Sequence, residues 1–235
     1  MKKPFLLLWF LILLLPISTF GQTIRIAKLE NTPDHILGGM LLMEIYKKAH
    51  IPLELVTIPS ARALIQSSTG KVDGELQRIY KLGDSYPTLL RVPTAFTYFE
   101  PSAFASNSNI KIENWHSLRN YKVGMVRGMK FAEIGLKNSK NVHKVNGSDQ
   151  LFAMLNAKRL DIIVSARFNG LYHISKHNLR NVQQLEPVLE RHDLYHYLHE
   201  KHKNLVPIIN TAIQSMKKSG ELARLRKHFY KEILN

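Results

Sequence analysis

The sequence predicts an α/β protein, on three observations. Stretches alternating at strand period are separated by stretches with apolar residues at helical spacing. The strand–helix order runs through twice, in two units of similar size. A clean amphipathic helix then closes the chain.

The first strand runs from Thr23 to Lys28, where Ile24, Ile26 and Lys28 alternate with Arg25 and Ala27. Thr32 and Pro33 supply an N-cap and a proline at the first helical position, and Ile36, Leu37, Met40, Leu41 and Ile45 continue the helix towards His50. A second strand follows from Pro52 to Thr57. Pro59 and Ser60 open a short helix, Ala61 to Ser67, which Gly70 closes, and residues 72–76 form a third strand. In the second unit, Trp115 and Leu118 lead into a strand from Tyr121 to Val126. Arg127-Gly128 turns into a helix carrying Phe131, Ala132 and Ile134. Ser148 caps another helix, with Leu151, Phe152 and Leu155 inside, and Leu160 to Val164 is a buried strand. Leu194 to Leu198 is strand-like. The amphipathic helix from Leu205 to Met216 stops at Gly220, and a last short helix covers residues 221–234.

The N-terminus reads as a secretory leader. Lys2 and Lys3 precede the apolar run from Phe5 to Leu15, and Pro16, Ser18, Thr19 and Gly21 follow before polar Gln22-Thr23. The run is shorter than the roughly 20 residues of a membrane span, so cleavage after Gly21 and a periplasmic location are expected. Removing residues 1–21 takes away Lys2 and Lys3 and lowers the net charge from +15 to +13. No cysteine is present, which excludes disulfides and lipid attachment through an N-terminal cysteine.

The basic residues are scattered, with no run of five and no interleaving with aromatics, so a nucleic-acid partner is not expected. No Gly-x-Ser-x-Gly, His-Glu-x-x-His or P-loop occurs, which removes several hydrolase and nucleotide-binding classes. His192, His196, His199 and His202 cluster in the sequence, but a strand followed by a loop scatters them; no metal or other cofactor is expected. Arg62 stands near a helix start, where the dipole disfavours a cation. A bound anion, Glu75 or a surface ion pair can each offset that. Asp73 and Asp161 read as turn acids that bond local backbone. Tyr80, Phe96, Tyr98 and Phe99 can wall a cleft, though core packing is the main expectation for them.

Five short pieces in order carry a family resemblance: Gly70-Lys-Val-Asp-Gly74, Tyr121-Lys-Val-Gly124 with Arg127-Gly128, Ala157-Lys-Arg-Leu-Asp161, and the stretch from Asn204 to Gly220. With these the chain resembles the extracellular solute-binding proteins of family 3, the polar amino-acid type. It looks closest to a branch combining Pro59-Ser-Ala-Arg62-Ala with Asp73-Gly-Glu75-Leu-Gln-Arg78-Ile.

The resemblance implies a periplasmic binding protein-like type II fold, with two α/β lobes joined by two crossover strands. The first lobe is then discontinuous, residues 22–106 and 190–235, and residues 107–189 form the second. Ligand is expected in the cleft at strand ends and helix starts.

In the amino-acid binders the residue five after the first turn's Asp helps hold the ligand. Here it is Arg78, whose planar fork suits a carboxylate; the plain reading is a surface arginine after a strand. Arg127, Gly128, Met129 and Lys130 stand where the family has a Gly-Thr pair opening a helix, so backbone N–H groups remain but the threonine hydroxyl is missing. The family's ammonium-binding Asp is replaced by Ala166, followed by Arg167, leaving Glu75 or Glu30 as the acid for an amino group. The expected function is therefore capture of a small polar or anionic solute, an amino acid or organic acid, by a non-enzymatic monomer. Its partner would be an ABC permease or a membrane sensor. A dehydratase-like enzyme using Glu75 beside Arg78, and a free-standing sensor lobe, are the alternatives.

Overall fold

The computed structural model describes residues 22–30, 32–106 and 109–234. The expected leader, residues 1–21, lies outside them. The chain runs through β1 (Ile24–Leu29), α1 (Pro33–Lys48), β2 (Leu53–Ile58), α2 (Ser60–Ser68), β3 (Gly74–Arg78), α3 (Leu82–Ser85), β4 (Leu89–Arg91) and β5 (Thr97–Phe99). It continues through β6 (Pro101–Ala105), β7 (Val123–Val126), α4 (Lys130–Gly135), β8 (Val142–Val145), α5 (Ser148–Asn156), β9 (Ile162–Ala166), α6 (Arg167–Lys176) and β10 (Gln183–Gln184). It returns through β11 (His192–His199) and ends with α7 (Leu205–Lys218) and α8 (Glu221–Leu234).

Two sheets result, one per lobe. The first has the order β2-β1-β3-β11-β4, with β1 parallel to β2 and β3. The second has the order β10-β6-β9-β7-β8, with β7 parallel to β8 and β9. The start of β11 pairs antiparallel with β5 from His192 to Leu194, and this two-stranded ribbon is the crossover between the sheets. The lobe boundary expected at residue 106 moves, because β6 pairs with β9 throughout Pro101–Ala105 and so belongs to the second lobe.

The two turn acids do the same work in each lobe. The Asp73 N–H donates to the Arg25 carbonyl at 2.7 Å, and its carboxylate accepts the Arg25 N–H at 2.8 Å. The Asp161 N–H donates to the Lys122 carbonyl at 3.0 Å, and its carboxylate accepts the Lys122 N–H at 2.8 Å. Each acid thus ties the entry of one strand to that of its neighbour.

The first core packs Leu37, Leu41 and Ile45 of α1 against Ile209, Ile213 and Met216 of α7, over Ile26 and Leu76. In the second lobe, neighbouring residues of β9 point to opposite faces. Ile162 and Val164 pack with Val123 and Met125, while Ile163 packs with Phe104, Leu151 and Phe152. Each such side chain contributes about 1.5–3 kcal/mol on burial. Phe168 crosses over. It belongs to the second lobe's α6 but is buried in the first lobe's cluster, its ring 4.7 Å from that of Tyr230.

Some local details differ from the sequence expectation. Thr32 is the N-cap of α1 and Pro33 its first residue, but the Thr32 hydroxyl donates to the Glu30 carbonyl and makes no side-chain cap bond. The N-cap of α5 is Gly147, so Ser148 is its first residue. On α4, Ala132 is buried and Ile134 is 67 % exposed. β3 starts at Gly74 rather than at residue 72. α6 was not foreseen from the sequence. Its Gly170 allows the closest approach to the second sheet, since a Cβ there would stand 2.0 Å from the Phe104 ring. No helix among the described residues is long and apolar enough to cross a membrane.

Candidate functional site between the lobes

Arg78 is the last residue of β3, the central strand of the first sheet. Its guanidinium is already engaged. Nε and Nη2 lie 2.9 and 2.8 Å from Glu75 Oε2, and Glu75 Oε1 accepts from the Ser67 hydroxyl at 2.7 Å. Glu75 is wholly buried, so the pair is nearly neutral and its fork faces inward. Arg78, expected to receive a ligand carboxylate, is thus already paired with Glu75. The same contacts touch both oxygens of Glu75. Beside this pair, the Leu29 N–H donates to His35 Nδ1 at 3.2 Å, which keeps that nitrogen unprotonated. Burial, then the charges of Arg78 and Lys28, push the His35 imidazole down to about 3.

The starts of α1 and α6 meet here, where the Asp34 N–H donates to Asn169 Oδ1 at 3.0 Å. Burial raises the Asp34 carboxyl to about 7, against the opposing pull of the Arg226 guanidinium.

Two cavities flank the crossover ribbon. One, of about 580 Å³, is lined by Arg167 and Glu100, by Thr97 and Tyr98 of β5, by Arg191 and Asp193, and by Lys217, Arg226 and Lys227 of α7 and α8. Five cations thus face two acids. The Arg226 fork donates to Thr97 Oγ1 at 3.0 Å and to the Tyr98 carbonyl at 3.4 Å. The Tyr98 ring also carries two guanidinium groups, Arg191 at 3.6 Å and Arg226 at 3.9 Å from its centre. Arg167 contacts Glu100 at 3.4 Å and Glu186 at 3.5 Å, longer than a tight charge-assisted bond.

The other cavity, of about 770 Å³, is mainly aromatic and aliphatic. Ile79, Tyr80, Phe99, Phe131, Ile134 and Tyr195 line it together with charged side chains, among them Lys130, Arg191, Glu190 and Asp193. Of the four aromatics expected mainly in the core, only Phe96 is buried there; Tyr80 and Phe99 line this cavity and Tyr98 the basic one.

The sequence-expected residues therefore separate. Arg167 lines the basic cavity and Lys130 the aromatic one, where Lys130 also pairs with Glu133 at 3.0 Å. Arg127 and Gly128 are exposed and line neither, and Met129 packs into the second lobe's core. Arg62 is exposed at the start of α2, and among the described residues no acid pairs with it. The four clustered histidines take separate partners. His192 stacks on Phe99, His196 bridges Tyr46 and the Glu75 carbonyl, His199 accepts from the Lys201 N–H, and His202 meets Asp73. Arg191, Lys217 and Arg226 went unrecognised, because residues so far apart in sequence share no motif.

No family model matches the chain. An uncharacterized protein of Shewanella oneidensis is 30 % identical to it over 177 residues, covering 72 % of this chain and 67 % of that protein. Among solved structures, the probable amino-acid ABC transporter extracellular-binding protein ytmK from Bacillus subtilis superposes with a TM-score of 0.74 at 18 % identity, covering 87 % of this chain and 96 % of that one. A histidine kinase sensor domain with similarity to periplasmic binding proteins gives 0.69 at 16 % identity, over 88 % and 96 %. The GluR0 ligand-binding core in complex with L-glutamate gives 0.72 at 13 % identity, over 90 % and 98 %. The chain thus belongs to the same family as the Shewanella oneidensis protein and is built on the two-lobed periplasmic binding protein fold.

Proposed function

We propose that this protein is an exported solute receptor that binds a small anionic molecule, an organic acid or the carboxylate end of an amino acid, without transforming it. The observation that carries this reading is the basic cavity beside the crossover ribbon. Its volume suits a small metabolite, and its excess of cations draws on α6 of the second lobe, on the ribbon and on α7 and α8. A negatively charged guest offsets the mutual repulsion of these groups, and Arg167 and Arg226 present planar forks for carboxylate oxygens. Movement of the lobes about the ribbon would adjust the cavity around its guest.

The non-catalytic reading is supported by the state of Glu75, the acid that a dehydratase-like activity would use. It is buried and accepts from Ser67 and Arg78. The partner is a membrane protein that reads the loaded receptor, either a transporter permease or a signalling receptor. Solved structures of both kinds of binding module share the fold.

A thermal-shift screen of the protein against carboxylates, amino acids, sugars and organic cations tests the proposal. Carboxylates are expected to raise the melting temperature by mass action. A screen in which only sugars or cations stabilise the protein contradicts it.

A further inference from the structure

A separate cluster sits on the second lobe, away from both cavities. His173 and His177 stand four residues apart on α6 and its C-cap, so both imidazoles lie on one helix face. They point at Asp149, in the first turn of α5. Asp149 Oδ1 is 3.1 Å from His173 Nδ1 and 2.7 Å from His177 Nε2, and the three donor atoms lie within 4.8 Å of one another.

Two features distinguish this from an ordinary surface ion pair. First, His173 is 8 % exposed, and its Nδ1 is buried without a hydrogen-bond partner of acceptable geometry, although it is aimed at the cluster. An unpartnered buried imidazole nitrogen costs free energy unless something binds it. Second, both rings are held parallel in a stack. His173 lies 5.3 Å from Phe152 and 5.9 Å from His177, with interplanar angles of 17° and 12°. Packing thus restrains both rings before anything binds.

We propose that Asp149, His173 and His177 form a site for one divalent transition-metal ion of the zinc type, held by two imidazole nitrogens and one carboxylate oxygen. Such a donor set suits borderline ions and leaves the remaining position to water. Metal–ligand bonds of about 2.0–2.1 Å put neighbouring donors about 3.3 Å apart in a tetrahedron, so the two contacts to Asp149 open slightly as the ion enters. Lys176 Nζ, 3.7 Å from the same carboxylate oxygen and half exposed, swings out to water as the ion enters. The bound ion fastens the end of α6 to the start of α5. The opposite end of α6 carries Phe168 and Arg167, which meet the first lobe and the basic cavity.

The test is calorimetric titration of the full chain, carrying no polyhistidine tag, with zinc chloride after chelator treatment. One ion per chain is expected, with a rise in melting temperature. His177→Ala and Asp149→Asn, both at exposed positions, are each expected to weaken binding at least about tenfold. His228→Ala, at an exposed imidazole elsewhere, leaves it unchanged. Cobalt(II) titration is expected to give visible d–d absorption that His177→Ala abolishes. Absence of stoichiometric binding, or zinc affinity unchanged in His177→Ala, overturns the proposal.

Discussion

The guanidinium of Arg226 lies 3.9 Å over the ring of Tyr98, so the C-terminal helix is fastened to the crossover ribbon by a cation–π contact. The same group bonds Thr97 Oγ1 and the Tyr98 carbonyl. Arg226→Ala is expected to cost about 1–2 kcal/mol in urea unfolding. Arg226→Lys keeps the charge but loses the fork and recovers only part of that. Without the guanidinium, the Asp34 carboxyl is expected to titrate above its present value of about 7, since Arg226 is the charge holding it down. NMR titration of the carboxyl reads this directly.

Glu75 and Arg78 should behave as a buried ion pair. Glu75→Gln leaves a mostly buried guanidinium without its counter-charge and is expected to cost about 3–5 kcal/mol. The double substitution Glu75→Gln with Arg78→Met removes both charges and should cost clearly less than the two single effects added together. A double-mutant cycle by denaturant unfolding measures the coupling. Additive single effects contradict the pairing.

Phe168 is the second lobe's anchor in the first lobe's core, 3 % exposed. Phe168→Ala is expected to cost about 3–5 kcal/mol. It should also loosen the contact between lobes, read as faster amide exchange around the starts of α1 and α6. A loss below 1 kcal/mol would mean that the lobes do not depend on this contact.

Stability should rise with pH across the mildly acidic range. Burial lowers His35 to about 3 and His196 to about 4, so the unfolded chain takes up protons near its ordinary imidazole value while these two groups stay neutral in the fold. Their stabilisation is complete above about pH 6.5 and is lost as pH falls towards 4. His173 is lowered in the same direction, mainly by burial. Asp34 acts oppositely. Its folded value of about 7 means that the native state holds a proton which the unfolded chain releases near 3.8, so its stabilisation fades as pH rises to 7. Two imidazoles outweigh one carboxyl, leaving a net gain that approaches about 1.4 kcal/mol per pH unit near pH 5 and shrinks towards pH 6.5. Asp34→Asn removes the opposing contribution and should steepen that slope by a similar amount. Urea unfolding at several pH values measures both.

Much of the fold was legible because it rests on local signals. Alternation of Ile24, Ile26 and Lys28 marks β1, and Ile209, Ala212, Ile213 and Met216 mark the buried face of α7. The acids Asp73 and Asp161 mark equivalent turns in the two lobes. α6 was illegible because Gly170 and its polar neighbours blur the helical period, and the need for glycine comes from Phe104, distant in sequence. The candidate site was legible only in part. The resemblance put Arg78 in the cleft from its spacing to Asp73. That its fork turns back onto Glu75 depends on how the end of β3 twists, which spacing does not encode. Arg167 was found by position, whereas Arg191 and Arg226 became neighbours only when the ribbon and the last helix came together over Tyr98.

The most direct test is calorimetric titration of the best-stabilising carboxylate from the screen into the wild-type chain, Arg226→Gln and Arg167→Gln. The basic cavity predicts one site per chain in the wild type and at least about tenfold weaker binding in each variant, the size of one lost charge-assisted bond. Undiminished affinity in both variants would place the acid elsewhere and contradict the assignment of this cavity.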